Sequence, residues 1–574
     1  MIKAIKTILK LTVVLLICLI SAYVNAQSVS PEIAYLHIDR TVYVAGETLF
    51  YKLYVLDATT HKRSNISKVG YIVLRAANQN PNLKNRIEIN SGISNGQFLL
   101  PDTLTSGVYQ IVVYTNSMRN YGEEIFFKKE IVIVNRFDKD MNFKLIDVRN
   151  IISDDSVDIP IAIKTNKKSF STREKVSVHI NKTNIKTNFS VSVYENSTIQ
   201  FSNYSIFETL NNSHNQLISN QQNIKYPVEK NTKILRGRVF DTITGENINK
   251  ATVLLSCIDT VPNLEYTTTN ANGIFQMPLE NYYDGKELFF TIRDIPDNEH
   301  WKIVIEDEFF LSGNWKPTLN YDVAPYKDFL LKSQNIASIN MIYQTNNDSI
   351  YSQPTTKKSI CPQLYYCPVK SLLLSDYASL NDFNEIVVEL LPQVNIHKEN
   401  GKYKISVLNG SQKMLSNSDI AIFLDGVYVD DVNKIMKLGS DQITKIDVLN
   451  TERVIGNFEY RGVISIITKS NEMMRTMPAP YSLRIKNNKT SSFKNYKMDN
   501  LDSITKKNIP DFKQLLYWNP NLETKENERT DFEFYTSDNE GNFIINLEGI
   551  TDEGHPISYS LHIQVINQLK PAEK

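Results

Sequence analysis

The chain has 574 residues, with 63 Lys and Arg against 63 Asp and Glu, 41% hydrophobic and 10% aromatic residues, and only 20 Gly and 20 Pro. At roughly 100–200 residues per domain this length predicts about three to five domains, and a formal charge of zero argues against a nucleic-acid-binding or polybasic membrane-surface protein. The apolar share is too high for disorder, low Gly and Pro exclude collagen-like or linker-dominated chains, and 30 Tyr with 25 Phe favour β structure.

The N-terminus reads as a secretory signal. Lys3, Lys6 and Lys10 form a basic region, Leu11–Ile20 is apolar apart from Thr12, and Ser21–Ala26 ends in small residues. Cleavage between Ala26 and Gln27 is expected; it removes three Lys and leaves three more acidic than basic residues. Cys18 offers the alternative of a lipoprotein signal, although Ile17 before it is bulkier than that processing accepts. No later run approaches ~18 consecutive apolar residues, so no transmembrane helix is predicted. An exported or periplasmic chain is disulfide-permissive. Cys361 and Cys367, in "CPQLYYCP", either close a small loop or stay as two thiols, whereas Cys257 in "ATVLLSCI" reads as a buried strand thiol.

From Ile33 to Asn135 the pattern is short alternating strands. Leu49, Tyr51, Leu53 and Val55 share one face, as do Tyr109, Ile111 and Val113, with turns expected at Ala45-Gly46, Asn95-Gly96 and Ser106-Gly107. "HIDRTVYVAGETLFYKLYV" (His37–Val55) has a weaker copy in "KKSFSTREKVSVHI" (Lys167–Ile180), in which Lys167, Phe170 and Glu174 parallel Arg40, Tyr43 and Glu47. Such a repeat predicts two tandem sandwiches. These residues, with "SGVYQIVVYT" and "GEEIFFKKEI", resemble the macroglobulin-type domain of exported Gram-negative proteins over Ala34–Asn135 and again over Ile161–Ser197. The resemblance implies seven-stranded sandwiches that act as spacers and docking surfaces. The Cys-Gly-Glu-Gln thioester run that lets full macroglobulins trap proteases is absent from the sequence, which excludes that chemistry.

Thr198–Thr232 is polar and reads as an excursion with a short helix near Ile206–Leu210. Strand patterning returns at Lys233. Gly237, Val239, Asp241, Gly245, Ala251, Val253, Thr269, Gly273 and Phe275 resemble the non-catalytic carboxypeptidase regulatory-like domain, a small β-sandwich with hairpins at Thr244-Gly245 and Asn272-Gly273. Helices are predicted over Pro325–Asn346 and Leu380–Leu391, packing between domains. Asp419–Lys469 resembles the plug domain of TonB-dependent outer-membrane receptors: Asp425-Gly426 supplies its turn, Ile443, Ile446 and Val448 its middle strand, and Arg461-Gly462 opens its closing strand. A receptor barrel needs about 22 strands of roughly 10 residues. The sequence from Lys469 to Lys574 is too short for that, so a soluble plug-like module is expected. The last segment, Leu515–Val565, resembles a terminal Ig-like sandwich, with Phe532–Tyr535 and Phe543–Leu547 expected to pair as a hairpin around Ser537–Asn542.

The expected fold class is therefore mainly β: tandem macroglobulin/Ig-like β-sandwiches with a small α+β plug-like module and a bridging helical segment. The expected domains are 1–26 signal peptide, 27–136 macroglobulin-type sandwich, 137–232 second sandwich with the polar excursion, 233–305 regulatory-like sandwich, 306–412 helical bridge, 413–473 plug-like module and 474–574 Ig-like sandwich. Chemistry is thin. His37, His61, His179, His397, His555 and His562 form no zinc-binding helix pair, and neither a Gly-x-Ser-x-Gly elbow nor a phosphate loop occurs. Asp154-Asp155 and Asp430-Asp431 read as solvated turns rather than calcium loops. No catalytic, metal or cofactor residues are expected, and Asp425, Gly426, Arg461 and Gly462 mark the plug-like turn and closing strand. The expected function is a non-enzymatic periplasmic or outer-membrane scaffold that binds envelope proteins or glycans, including as an accessory of an outer-membrane transport system. The alternative is an envelope hydrolase acting on glycans or peptides, its site assembled only in three dimensions.

Overall fold

The computed structural model describes residues 31–76, 83–138, 163–181, 187–197, 225–293, 300–309, 326–343, 368–399, 401–408, 420–451, 458–471, 482–491, 509–524 and 527–567, with shorter stretches between them. The signal-peptide residues Ala26 and Gln27, and the pair Cys361 and Cys367, lie outside the described residues. The protein is mainly β and divides into two compact units, one of residues 1–230, 311–355 and 492–574, the other of residues 231–310 and 356–491.

The first unit opens with eight strands: β1 (Glu32–Ile38), β2 (Val42–Val44), β3 (Thr48–Asp57), β4 (Val69–Ala76), β5 (Leu83–Glu88), β6 (Ile93–Leu99), β7 (Gly107–Thr115) and β8 (Phe127–Val134). They form a sandwich of a β1-β3-β6 sheet on a β2-β8-β7-β4-β5 sheet. Leu49, Tyr51, Leu53 and Val55 are buried as the alternation requires, but so are Phe50, Lys52, Tyr54 and Leu56, because both faces of β3 are covered. The Ala45-Gly46 turn forms as expected, with Gly46 at φ +97°. Asn95-Gly96 is not a turn. It lies inside β6, opposite Lys52 and Tyr51, and the chain turns instead at Ser91-Gly92, both in the left-handed region, where it passes from β5 in one sheet to β6 in the other. Gly96 is a packing residue instead: a Cβ there would stand 2.3 Å from the Tyr51 hydroxyl oxygen.

The repeated motif folds into the same local device twice. In the first copy Arg40 Nη2 meets Glu47 Oε2 at 2.7 Å, the Val44 N–H donates to Glu47 Oε2 (2.8 Å), and β2 runs parallel to β8. In the second copy Lys167 Nζ meets Glu174 Oε1 at 2.5 Å and the Ser171 N–H donates to Glu174 Oε2 (2.7 Å). The second copy supplies β9 (Ile163–Thr165), β10 (Ser169–Ser171), β11 (Lys175–Ile180) and β12 (Thr187–Glu195). Ile206, Thr209 and Leu210 are helical, and residues 225–230 dock back on the first sandwich, where Tyr71 OH donates to both Glu229 oxygens (2.9 and 3.0 Å).

The chain then builds the second unit. Strands β13 (Ile234–Asp241), β14 (Thr252–Cys257), β15 (Glu265–Thr268), β16 (Ile274–Pro278), β17 (Glu287–Arg293) and β18 (Trp301–Ile305) make a small sandwich around Val239, Val253, Leu255, Phe275 and Phe290. Gly245 and Gly273 both have positive φ at the expected turns, but neither turn closes a hairpin: β13 pairs with β16 and β18, and β14 with β15 and β17, so each turn passes from one sheet to the other. After β18 the chain contributes helix α1 (Lys327–Tyr343) to the first unit and returns with β19 (Lys370–Leu373) and helix α2 (Phe383–Leu390). Asp382 caps α2 by accepting the Glu385 N–H (2.9 Å), and Phe383, Ile386 and Val387 form its buried stripe. Next come β20 (Val394–Glu399), β21 (Lys402–Leu408), β22 (Met414–Leu415), β23 (Ile420–Leu424), β24 (Val427–Tyr428), β25 (Ile443–Leu449), β26 (Arg453–Ile455), β27 (Phe458–Tyr460), β28 (Gly462–Thr468) and β29 (Ser482–Lys486). One five-stranded sheet has the order β19-β25-β28-β23-β24 and packs α2 and β20–β21 in one core, while β29 pairs with β17 at the edge of the small sandwich.

Strands β30 (Leu515–Thr524), β31 (Thr530–Tyr535), β32 (Gly541–Thr551) and β33 (Pro556–Ile566) return to the first unit. They do not form a sandwich of their own. The sheets β10-β33-β32-β12-β30 and β31-β11-β9 interleave them with the second repeat around Phe170, Val178, Val193, Tyr517, Phe534 and Ile545. The expected separate domains at 137–232 and 474–574 are thus two halves of one sandwich, since four strands from either segment leave one apolar face uncovered. The expected Phe532–Tyr535/Phe543–Leu547 hairpin is also corrected: β31 pairs with β11 and β32 with β12, in opposite sheets, so the intervening turn crosses the core. Nor is 306–412 a single bridge. Leu330 of α1 packs on Val42, Val108, Val132 and Val134 in the first unit, whereas α2 belongs to the plug-like core.

Candidate functional site

The Asp425-Gly426 turn is a two-residue hairpin between β23 and β24, with Asp425 at φ +51° and Gly426 at φ +83°. Asp425 is fully buried. Its carboxylate accepts the Thr468 N–H (2.7 Å), the Thr468 hydroxyl (2.8 Å) and the Met473 N–H (3.1 Å), tying the turn to the end of the closing strand. Gly426 approaches the small sandwich so closely that a Cβ would stand 2.7 Å from the Asp259 carbonyl oxygen, and the Asp259 N–H donates to Asp425 O (3.0 Å). Behind this turn Leu254, Ala421, Phe423, Leu449 and Val463 make a shared apolar core. The predicted turn therefore joins two modules of the second unit rather than presenting itself to solvent. Gly462 lies opposite Ile420, where a Cβ would come within 2.9 Å of Ile420 Cγ2. Arg461 is exposed and paired to Glu459 (2.7 Å). Cys257 is a buried strand thiol, as expected, and burial pushes it up to about 11.

In the first unit, a buried polar seam joins the two sandwiches. His37 Nδ1 lies 2.6 Å from Ser190 Oγ, and its Nε2 lies 3.2 Å from Asn546 Nδ2. Asn546 Nδ2 also donates to Glu548 Oε1 (3.1 Å), which fixes it as the donor. Nε2 of His37 is therefore the acceptor, and Nδ1–H donates to Ser190. Burial lowers His37 to about 4. Burial acts to raise Glu548, but His37, Lys129 and the Tyr35 hydroxyl hold its carboxyl below the ordinary range. Tyr54 OH donates to the Glu548 carbonyl (3.1 Å), and Trp518 packs on both His37 and Phe50. A serine and histidine in hydrogen-bond contact are a nucleophile–base pair by type. Here His37 is 1% and Ser190 0% exposed, so the pair is sealed inside an interface and acts as a lock.

An open cleft of about 450 Å³ lies between α1 and the second sandwich. Leu331, Ile336, Ile339 and Phe512 give it an apolar lining, and Asp328 and Glu540 stand at its polar positions. Its lysine, Lys332, is spent on Glu195 (2.5 Å), which also accepts from Gln514 (3.1 Å) and Asn539 (2.8 Å). Asp538 is likewise held by Arg173 (2.5 Å). Sequence reasoning missed this cleft because its walls are more than 150 residues apart in the chain; the surplus of apolar residues on α1 was its one local sign. It missed the seam too, because the covering of both faces of β3 depends on strands from the far end of the chain. Among the described residues no group of three or more His, Cys, Asp or Glu is placed to hold a metal ion, and no helix is long and apolar enough to cross a membrane.

No family model and no curated protein matches the chain. Solved structures to which it is similar include trypsin-activated α2-macroglobulin from Escherichia coli, with 8% identity, a TM-score of 0.24, and coverage of 93% of this chain and 42% of that one. The native E. coli α2-macroglobulin and the methylamine-reacted Salmonella α2-macroglobulin have the same identity and TM-score, with coverage of 94% of this chain and 40% of theirs. The chain thus spans about two fifths of the length of these structures.

Proposed function

We propose that this chain is a non-enzymatic binding protein of the cell envelope, exported to the periplasm or the outer-membrane surface. Its α1 cleft takes an extended segment of a protein partner that carries apolar and basic side chains. The observation that carries this reading is the cleft itself: Leu331, Ile336, Ile339 and Phe512 line it beside the acidic Asp328 and Glu540, and its lysine is paired with Glu195. The sandwiches and the plug-like module are rigid spacers in this account, and the plug resemblance makes an outer-membrane transport component the partner to seek. A second reading, an envelope hydrolase, draws on the Ser190–His37 contact, and the burial of both residues weighs against it.

A photo-reactive residue at Leu331, introduced into the full chain in its native envelope, tests the proposal. A defined protein is expected to crosslink, and the purified partner should bind at least about tenfold more weakly to Leu331→Asp, a loss of ~1.4 kcal/mol or more. Recovery of uncrosslinked chain alone, together with hydrolysis of an envelope polymer by the purified protein, would overturn it.

A further inference from the structure

Strand β3 alternates two destinations. Leu49, Tyr51, Leu53 and Val55 fill the first sandwich, while Phe50, Lys52 and Tyr54 reach the second, against Trp518, Asn188 and Ser190 respectively. Among these, Lys52 is chemically anomalous. It is 0% exposed, makes no ion pair among the described residues, and sits 4.9 Å from the centre of the Tyr54 ring. Its amine donates to Asn188 Oδ1 and, at 3.3 Å, to the Asn188 carbonyl. Asn188, on β12, is directly opposite Glu523 on β30, and its Nδ2 donates to Glu523 Oε1 at 3.5 Å. An amine, a carboxamide and a carboxylate on the departing side of that carboxamide are therefore gathered at the join of the two sandwiches.

We propose that Lys52 and Asn188 condense into an intramolecular isopeptide bond that ties the first sandwich to the second, with Glu523 carrying the proton. The neutral Nζ attacks Cγ of Asn188, forming an N–C bond. The carboxylate of Glu523 takes the proton released by the attacking nitrogen and delivers it to Nδ2. The Cγ–Nδ2 bond then breaks and ammonia leaves, so two primary nitrogens become one secondary amide and one ammonia with no change of oxidation state. Burial, aided by Arg63 and opposed by Glu523, pushes the Lys52 amine well below its ordinary value, which supplies the free lone pair the attack needs. The hydrogen bonds of Lys52 Nζ to Asn188 hold the amine against the carboxamide of the same chain, so the reaction is intramolecular and needs no bound reactant. The product is uncharged and removes the cost of a buried amine.

Peptide mapping by mass spectrometry of the full-length protein tests this. The expected result is a branched peptide joining the segments that carry Lys52 and Asn188, lighter than their sum by one ammonia. Lys52→Arg should abolish it. Asn188→Asp should give the same branched product with water lost instead. Glu523→Gln, at an exposed position, should leave the fold intact by circular dichroism and the two peptides largely separate. Wild-type peptides recovered unlinked would overturn the proposal, and efficient linkage in Glu523→Gln would overturn the role of Glu523.

Discussion

Replacing Asp425 by Ala puts the strongest demand on the account of the plug-like turn. The carboxylate accepts two backbone N–H groups and the Thr468 hydroxyl, and Thr468 is 3% exposed. Each donor left unsatisfied costs about 1–3 kcal/mol, the more buried Thr468 N–H being at the upper end. Ala also tolerates the left-handed φ of +51° less well than Asp does, a further ~1 kcal/mol. The expected loss is about 3–5 kcal/mol. Asp425→Asn, which keeps both the turn tolerance and one acceptor, should lose about half of that. Hydrogen–deuterium exchange of the peptides covering β23 and β28 is the assay, since it reports this unit whatever the other does. Opening should become easier by about two to three and a half decades in Asp425→Ala, one decade per ~1.4 kcal/mol. Thr468→Val should be strongly non-additive with it, because both substitutions remove the same contact. Protection in Asp425→Ala within about 0.5 kcal/mol of wild type would refute the reasoning, since a buried carboxylate with three donors cannot be that cheap to lose.

Acid sensitivity should trace to His37. Its folded value of about 4 lies below the unfolded ~6.5, so its contribution to stability is complete above about pH 6.5 and fades as pH falls through 4. The span corresponds to about 3 kcal/mol, and the stability difference between wild type and His37→Gln in urea titrations should shrink by that amount from pH 7 to pH 4; a pH-independent difference would contradict the buried neutral imidazole. Gly96→Ala should destabilise the first sandwich by about 1–3 kcal/mol through collision with the fully buried Tyr51, and Tyr51→Phe in the same chain should recover part of it. Equal urea midpoints for Gly96→Ala and wild type would show that Tyr51 is free to move.

Local signals survived where the determining contacts were local. The Arg40–Glu47 and Lys167–Glu174 devices and the helical stretch that became α1 each rest on residues within one or two turns of chain, so spacing revealed them, and the left-handed turn at Asp425-Gly426 was implied by the plug-domain resemblance. Asn95-Gly96 carried the same dipeptide signal as a hairpin and failed, because the glycine answers to Tyr51 on the neighbouring strand. The α1 cleft and the His37–Ser190–Glu548 seam were not legible at all, for their members come from segments separated by more than 150 residues.

By itself the sequence determined the β class, the paired Arg40–Glu47 and Lys167–Glu174 motifs and the burial of Cys257 on a strand, all consequences of periodicity and composition. Only the tertiary structure decided that the second repeat and the last fifty residues share one core, and that both faces of β3 are covered. Pairing of distant strands is governed by which apolar faces remain exposed once each segment has folded locally, and that remainder is a property of the whole chain.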